Sequence, residues 1–387
     1  MFGAGNVGRG FLGQLFSESG YEVVFVDIDE PLIAALNARR GYTIRLVDND
    51  WAEEITISPV RSLHAEEIEA VAQALAEADI GATAVGVRAL PHVAPLVAAG
   101  IARRAAKGLQ SPLNIIVCEN LKEAAATFRR MVSERLSEEH HAYFQTQVGF
   151  VDTVIGRMVP PLMPELRARD PSLIVVEPYK ELPVDRCGFV GLIPEIVGME
   201  PCDNFAVYTA RKLYVHNCGH AMLGYLGYLR GYAFGYQALE DATIRSLFER
   251  ALAESKSGIV AAYGVEPAWL EAYIADITYR FANRALGDTT FRLARDPLRK
   301  LGPKDRLVGA ARLVEKAGEW PEALSWGIAA GYCFNDPQDP LAVNLQQRIV
   351  AEGFDAVLTD VSNIQAKEPL SALVRERYHR LREGVWS

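Results

Sequence analysis

Short apolar runs alternate with stretches of helical spacing through the first half of the chain. Val23-Val24-Phe25-Val26 is a continuous apolar run of the buried-strand type, and Leu32, Ile33 and Leu36 recur after it at helical spacing. Residues 43–47 and 55–60 read as strands, and residues 66–77 as a helix with Ile68, Val71 and Leu75 on one face. Residues 83–87 and 114–118 read as buried strands on either side of a helical run over 93–106. The β-rich stretches 148–158 and 173–179 are expected to extend the same sheet. Strands alternating with helices predict an α/β fold with a doubly wound parallel sheet.

From about Asn204 the pattern changes to long helical periods, over 205–229, 240–255, 266–285, 305–316 and from Leu341 onward. The boundary is placed within 198–203, giving an α/β domain over 1–200 and a mainly α-helical domain over 201–387. A chain of 387 residues is too long for one ordinary core, which agrees with two domains. With 50% apolar and 23% charged residues the composition is that of an ordinary globular protein. The net charge of −9 does not favour nucleic acid or a membrane surface as a partner, so the expected partner is a small molecule. The cysteines, Cys118, Cys187, Cys202, Cys218 and Cys333, are odd in number and form no C-x-x-C pair, which reads as a reduced cytoplasmic protein. The most apolar long stretch, 80–101, is broken by Arg88, Pro91, His92 and Pro95, so no membrane span is expected, and a motif starting at residue 3 leaves no place for a signal peptide.

That motif is Gly3-Ala4-Gly5-Asn6-Val7-Gly8, a G-x-G-x-x-G that runs into a helix with Val7, Phe11, Leu12, Leu15 and Phe16 on one face. Gly3 permits a tight turn, Gly5 lets a pyrophosphate approach the backbone, and Gly8 lets the helix pack close to the sheet, with the phosphates at the positive helix end. The strand after the helix ends in Asp27, at the spacing where a carboxylate accepts from an adenosine ribose. A carboxylate there repels a 2′-phosphate, which favours NAD over NADP; the alternative is that Asp27 only caps a strand. Only Met1 and Phe2 precede the loop, where a central strand of about five residues belongs. Either that strand is a stub or further residues precede Met1, and in the second case about five added residues should raise thermal stability and NADH affinity.

Near the start of the helical domain stands Arg211-Lys212-Leu213-Tyr214-Val215-His216-Asn217-Cys218-Gly219-His220. On a helix Asn217 and His220 share a face at i, i+3, and Lys212, somewhat rotated, reaches a point beside them. A lysine, an amide and an imidazole converging at a cleft suit alcohol oxidation, one removing the hydroxyl proton and the others holding the developing oxyanion. Three solvated polar residues on a helix surface are the alternative.

K-x-x-x-x-N-x-x-H resembles the signature of the polyol-specific long-chain dehydrogenases, a metal-independent family. The resemblance runs along nearly the whole chain, through 2–11, Cys118-Glu119-Asn120-Leu121, Val148-Gly149-Phe150-Val151-Asp152, Arg157-Met158-Val159-Pro160-Pro161, Arg280-Phe281-Ala282-Asn283 and Pro297-Leu298-Arg299-Lys300-Leu301. These segments and the chain length are similar to the branch that uses phosphorylated polyols. The resemblance implies a Rossmann-like NAD domain followed by a helical substrate domain, and NAD-dependent interconversion of D-mannitol 1-phosphate and D-fructose 6-phosphate. It implies Lys212 as general base, Asn217 as donor to the substrate oxygen and His220 as the group orienting a neighbouring hydroxyl. The place of a second oxyanion-hole asparagine in a related branch falls on Asp152, a carboxylate that would bind a substrate hydroxyl or set the lysine pKa instead. Asn120 and Val87, taken as strand-end residues, are expected at the nicotinamide side.

For a phosphate, the basic segment Arg292, Arg295, Arg299, Lys300, Lys304, Arg306 offers forked donors. Arg299 and Lys300 are the first candidates and Arg280 the third, with a solvated basic helix face as the alternative. No H-E-x-x-H or paired His/Cys spacing calls for a metal. The family's members imply a monomer or weak oligomer. An unphosphorylated polyol or a hexuronate as substrate, and a non-catalytic NAD(H)-sensing protein, are the competing functions.

Overall fold

The computed structural model describes residues 1–160, 162 and 164–386. Pro161, quoted above as part of a motif, lies outside the described residues. The chain divides into two compact units, Met1–Phe205 and Ala206–Ser387.

Unit 1 is built on parallel strands. β1 (Val23–Asp27) pairs with β4 (Val60–His64), while β5 (Ile80–Thr83), β6 (Leu113–Val117) and β7 (Val148–Asp152) pair in sequence. Phe2 joins the two halves, bridging Val26 on one side and Thr83 on the other, both in the parallel sense. The order is therefore β4-β1-Phe2-β5-β6-β7, with Phe2 as the central stub. The stub is nevertheless fully bonded: Phe2 N donates to Ala82 O (2.8 Å), Gly3 N to Val26 O (2.8 Å), Val26 N to Met1 O (2.9 Å) and Ala84 N to Phe2 O (2.8 Å). A buried sheet cannot leave these groups unpaired without cost, and Met1, Phe2 and Gly3 supply their partners at this end of the ladder.

Alternate strand residues face two separate cores. Phe25, Ile116 and Val151 pack on one side with Phe11 and Leu12, with Leu15 of α1 (Gly13–Glu18) and with Leu32 and Leu36 of α2 (Glu30–Arg39). Phe2, Val26, Ile115, Val117 and Phe150 pack on the other, against α3 (Ile68–Glu77), α4 (Leu90–Ala106) and α5 (Ala124–Ser133) through Val71, Val97 and Phe128. Burial on both faces explains why these strands read as continuous apolar runs.

Three expectations need correction. Residues 55–60 are not one strand: the run breaks at Ser58-Pro59, where proline has no N–H to give a ladder. β3 (Ala52–Ile57) turns back antiparallel on β2 (Tyr42–Val47), and β4 joins the main sheet. Residues 173–179 do not extend the main sheet: β8 (Ile174–Val176) runs parallel to β2, forming a second sheet in the order β3-β2-β8. Ile44 and Ile174, paired there, both enter the core beneath the first helix, and that burial is what draws β8 away. Residues 83–87 are strand only to Thr83; Gly86, at φ +85°, turns the chain, and Val87 opens a 3₁₀ turn, Val87–Ala89.

Unit 2 is helical. Helix Phe205–Arg211 passes through a π turn, Lys212–Asn217, into helix Cys218–Leu229 without a break. Helices Gly235–Glu240, Ala242–Tyr263 and Pro267–Phe281 follow, and then the short helices Thr290–Ala294 and Pro297–Lys300. Asp241 caps the longest of them by accepting from Thr243 N (2.9 Å) and Ile244 N (3.1 Å), and Gly264, at φ +65°, ends it. Among the described residues no helix is long and apolar enough to cross a membrane.

Candidate active site

The candidate residues of unit 1 gather at the C-terminal ends of its parallel strands, where ligands bind open α/β sheets. The glycine loop follows the Phe2 stub, and each glycine does a different job. Gly3 takes φ +90°, and a Cβ on it would stand 2.5 Å from Ala84 O. A Cβ on Gly8 would stand 2.0 Å from Gly3 O, so the first helical turn folds directly onto the loop. Gly5 is exposed, and a Cβ there would meet nothing within 4 Å. Ala4 is buried in the core, Asn6 and Val7 are half-buried, and the helix begins at Asn6. The cradle therefore has open space over Gly5 and a helix N-terminus beside it, which fits a pyrophosphate. Arg9 locks it from beneath, Nε donating to Ala4 O (2.6 Å) and Nη1 to Ser172 O, while the Tyr42 hydroxyl donates to Arg9 O (2.8 Å).

Asp27 closes β1. Its Oδ2 accepts from Ala4 N (2.6 Å) and its Oδ1 from Ile28 N (2.7 Å) and Asp29 N (3.1 Å). A carboxylate has about four acceptor positions, so three are held by backbone and one remains for a ribose hydroxyl. Capping and ribose recognition are thus compatible in one residue.

Val87 sits beyond β5, and Asn120 is exposed beyond the end of β6. Between them lies a residue that the motif reading passed over. Glu119 is buried, and its Oε1 accepts from Val85 N (2.9 Å), tying the turn after β5 to the end of β6. Burial pushes its carboxyl above the ordinary range, partly offset by the Val85, Thr83 and Gly86 donors. A carboxylate directly after the apolar run 115–118 was the available signal. Asp152 ends β7; its Oδ1 accepts from Ala125 N (2.9 Å) at the start of α5, and burial raises its pKa, with Asp185 and Glu123 adding to the rise.

In unit 2 the cluster lies on the π turn. Its i→i+5 bonding reduces the rotation that a plain α-helix would put between Lys212 and Asn217, five residues apart. His220 follows one α step later. Its ring stacks on Phe281 at 4.2 Å between centroids, with the His216 ring edge-on at 4.8 Å. His220 Nε2 is buried and has no hydrogen-bond partner. Burial holds both imidazoles well below the ordinary histidine pKa, and Lys212 and Arg306 lower both further; Arg280 adds to the effect on His216, and Arg292 and Lys300 to that on His220. Both rings are therefore neutral near pH 7, and His220 can donate or accept.

Of the phosphate candidates, Arg299 is exposed and bonds Asp296 (2.6 Å), with Asp305 at 3.7 Å, and Arg280 is buried and bonds Asp276 (3.0 Å). Lys300 is only 5% exposed, and its ammonium donates to Leu293 O. Burial, with Arg306 and Arg299 nearby, drives its pKa down to about 6. Arg306 is buried too, its Nε on Asp305 (2.7 Å). Among the described residues no group of three or more histidine, cysteine, aspartate or glutamate side chains is placed to hold a metal ion.

A dinucleotide cradle on a parallel sheet, followed by a helical unit carrying a lysine, an amide and an imidazole, defines a two-domain dehydrogenase. The family models for the mannitol dehydrogenase Rossmann domain and the mannitol dehydrogenase C-terminal domain match residues 1–198 and 204–383. The chain is 37% identical to a mannitol-1-phosphate 5-dehydrogenase of Brevibacillus brevis, covering 100% of this chain and 98% of that one. It is 38% identical to the Bacillus subtilis enzyme of the same name, covering 98% and 99%. Its fold is similar to that of Pseudomonas fluorescens mannitol 2-dehydrogenase in a ternary complex with NAD and D-mannitol, with a TM-score of 0.75, 19% identity and coverage of 99% of this chain and 91% of that one. This chain belongs to the mannitol dehydrogenase family and is an oxidoreductase.

Proposed function

We propose that the protein interconverts D-mannitol 1-phosphate and D-fructose 6-phosphate with NAD(H), unit 1 holding the cofactor and unit 2 the substrate. The observation that carries this reading is the unpartnered Nε2 of His220, buried one α step beyond the π turn that aligns Lys212 with Asn217. Lys212 removes the hydroxyl proton in oxidation and returns it in reduction, a role in which a lysine is helped by burial or by neighbouring positive charge. Asn217 donates to the oxygen as charge develops, and His220 Nε2 holds the adjoining hydroxyl. The nicotinamide, when bound, supplies the site that accepts or gives the hydride. Gly3, Ala4, Gly5, Asn6, Val7 and Gly8 hold the pyrophosphate, Asp27 the adenosine ribose, and Val87 and Asn120 flank the nicotinamide side. Asp152 anchors the start of α5 and supplies a substrate hydroxyl with an acceptor. No metal takes part.

Lys300 and Arg306 read the substrate phosphate. Both are buried, and their charge reaches His220; Arg306, like Arg299 and Arg280, also bonds a carboxylate, but Arg299 is exposed and Lys300 has no carboxylate partner among the described residues. A phosphate dianion favours the charged form of Lys300, so its binding draws a proton onto this lysine. The test is NADH oxidation with fructose 6-phosphate beside free fructose. Turnover confined largely to the phosphate ester is expected; equal use of both would overturn the phosphate reading and leave an unphosphorylated polyol as substrate.

A further inference from the structure

His220 is held by more than its own helix. Behind it lies a chain of buried rings that the chemistry above does not use. Arg211 is buried, and its guanidinium lies over three aromatic rings: Tyr273 at 4.1 Å, Trp269 at 4.5 Å and Tyr208 at 4.9 Å. Tyr273, pinned beneath that cation, carries its hydroxyl to 3.4 Å from His216 Nδ1. His216 in turn presents its ring edge to His220 at an interplanar angle of 82°, and both imidazoles meet Phe281, at 5.5 Å and 4.2 Å. Phe248 backs Phe281 at 6.2 Å.

The geometry explains a choice that His220 alone leaves open. Its neutral ring could flip or change tautomer within an apolar pocket, since nothing bonds Nε2. Stacking on Phe281 fixes the plane of the ring but not its rotation within that plane. The perpendicular ring of His216 supplies the second constraint, because an edge-to-face contact favours one in-plane orientation over others. His216 can do this only if its own ring is fixed, and the Tyr273 hydroxyl is the polar group placed to fix it. A phenol whose ring is clamped by a guanidinium is a stiff support for that bond.

We propose that His216 and Tyr273 are positioning residues for His220: the Tyr273 hydroxyl holds the His216 ring, and the His216 ring edge sets His220 so that Nε2 faces the substrate hydroxyl. This rests on the reading of His220 as the substrate-facing imidazole. The effect passes through His220, so it must vanish when His220 is replaced, which a merely structural role would not do.

The test is a double-mutant cycle in the full-length protein, with NADH and fructose 6-phosphate. Tyr273→Phe keeps the ring under Arg211 and removes only the hydroxyl. It is expected to lower kcat about tenfold in the native background and by less than about twofold in a His220→Asn background. The Kd for NADH and the melting temperature should stay near those of the native protein. His216→Phe keeps a ring edge and removes Nδ1, and adding Tyr273→Phe to it should cost nothing more. Equal losses from Tyr273→Phe in both backgrounds, or no loss in either, would overturn the proposal. If His220→Asn by itself left kcat unchanged, the underlying assignment of His220 would fail instead, and the two failures are read from different variants.

Discussion

The candidate sites of the two units are made of different material. In unit 1 the work falls to the backbone: Gly3 and Gly8 admit no Cβ, Ala4 N and the amides after β1 hold Asp27, and the helix N-terminus faces open space over Gly5. In unit 2 it falls to side chains standing on one continuous helix, the histidines among them kept neutral by their surroundings. A backbone site restricts which residues are possible, so it writes itself into the chain as glycines. A side-chain site restricts only spacing and environment, and the same three residues could stand on any solvated helix. The two halves should therefore fail differently, one in cofactor affinity and the other in turnover.

The sharpest contrast is expected from Lys212→Ala. Steady-state kinetics should show kcat lower by about a thousandfold, while NADH titration by fluorescence gives a Kd within about twofold of native. A parallel loss of NADH binding would break the division of labour. Gly8→Ala should do the reverse. The new Cβ meets a backbone oxygen that cannot move aside cheaply. We expect a cost of about 1–3 kcal/mol, roughly ten- to a hundredfold in the NADH Kd, with kcat at saturating cofactor retained. Asp27→Asn keeps an acceptor for Ala4 N and removes the charge. The preference for NADH over NADPH should fall about tenfold, read as the ratio of the two kcat/KM values.

The smallest effect concerns stability. Lys300 has a folded-state pKa of about 6 against an unfolded value near 10.4. Between these limits the unfolded chain binds more protons, so native stability rises with pH; below about 6 the full cost of the buried amine remains. Lys300→Met should raise the melting temperature by a few degrees near pH 7. The gap to the native protein should narrow as melts are repeated from about pH 6 toward about pH 10. The same variant should lose affinity for fructose 6-phosphate, an exchange of function for stability.

The same contrast decides what the chain discloses. The strands β1, β6 and β7 and their parallel arrangement are legible because burial on both faces demands continuous apolar runs. The glycine loop and Asp27 are legible for the backbone reason above. The place of β8 is not, because an apolar run such as Ile174–Val176 carries no label for its partner, and pairing with Ile44 rather than β7 is decided by the core beneath. The antiparallel return of β3 shows only as Ser58-Pro59, a break that the apolar residues on either side conceal. In unit 2 the spacing of Lys212, Asn217 and His220 is visible, but the π turn is not, since no residue type specifies it. Burial of Lys300 is equally hidden: in sequence it is one more cation beside Arg299, and only the packing around Leu293 separates the two.

The π turn has a consequence for how this stretch tolerates genetic change. It holds one more residue per hydrogen-bonded ring than the helices on either side. Inserting one codon among those for residues 213–216 would lengthen the segment with every chemical group still encoded. Lys212 would then sit six positions before the asparagine, a separation that neither an α nor a π turn brings onto one face, and the proposed base would aim away from its partner amide. Exchanging Leu213 for another aliphatic residue changes composition without changing count and should be nearly silent. Here selection is expected to read the length of the segment more strictly than its spelling.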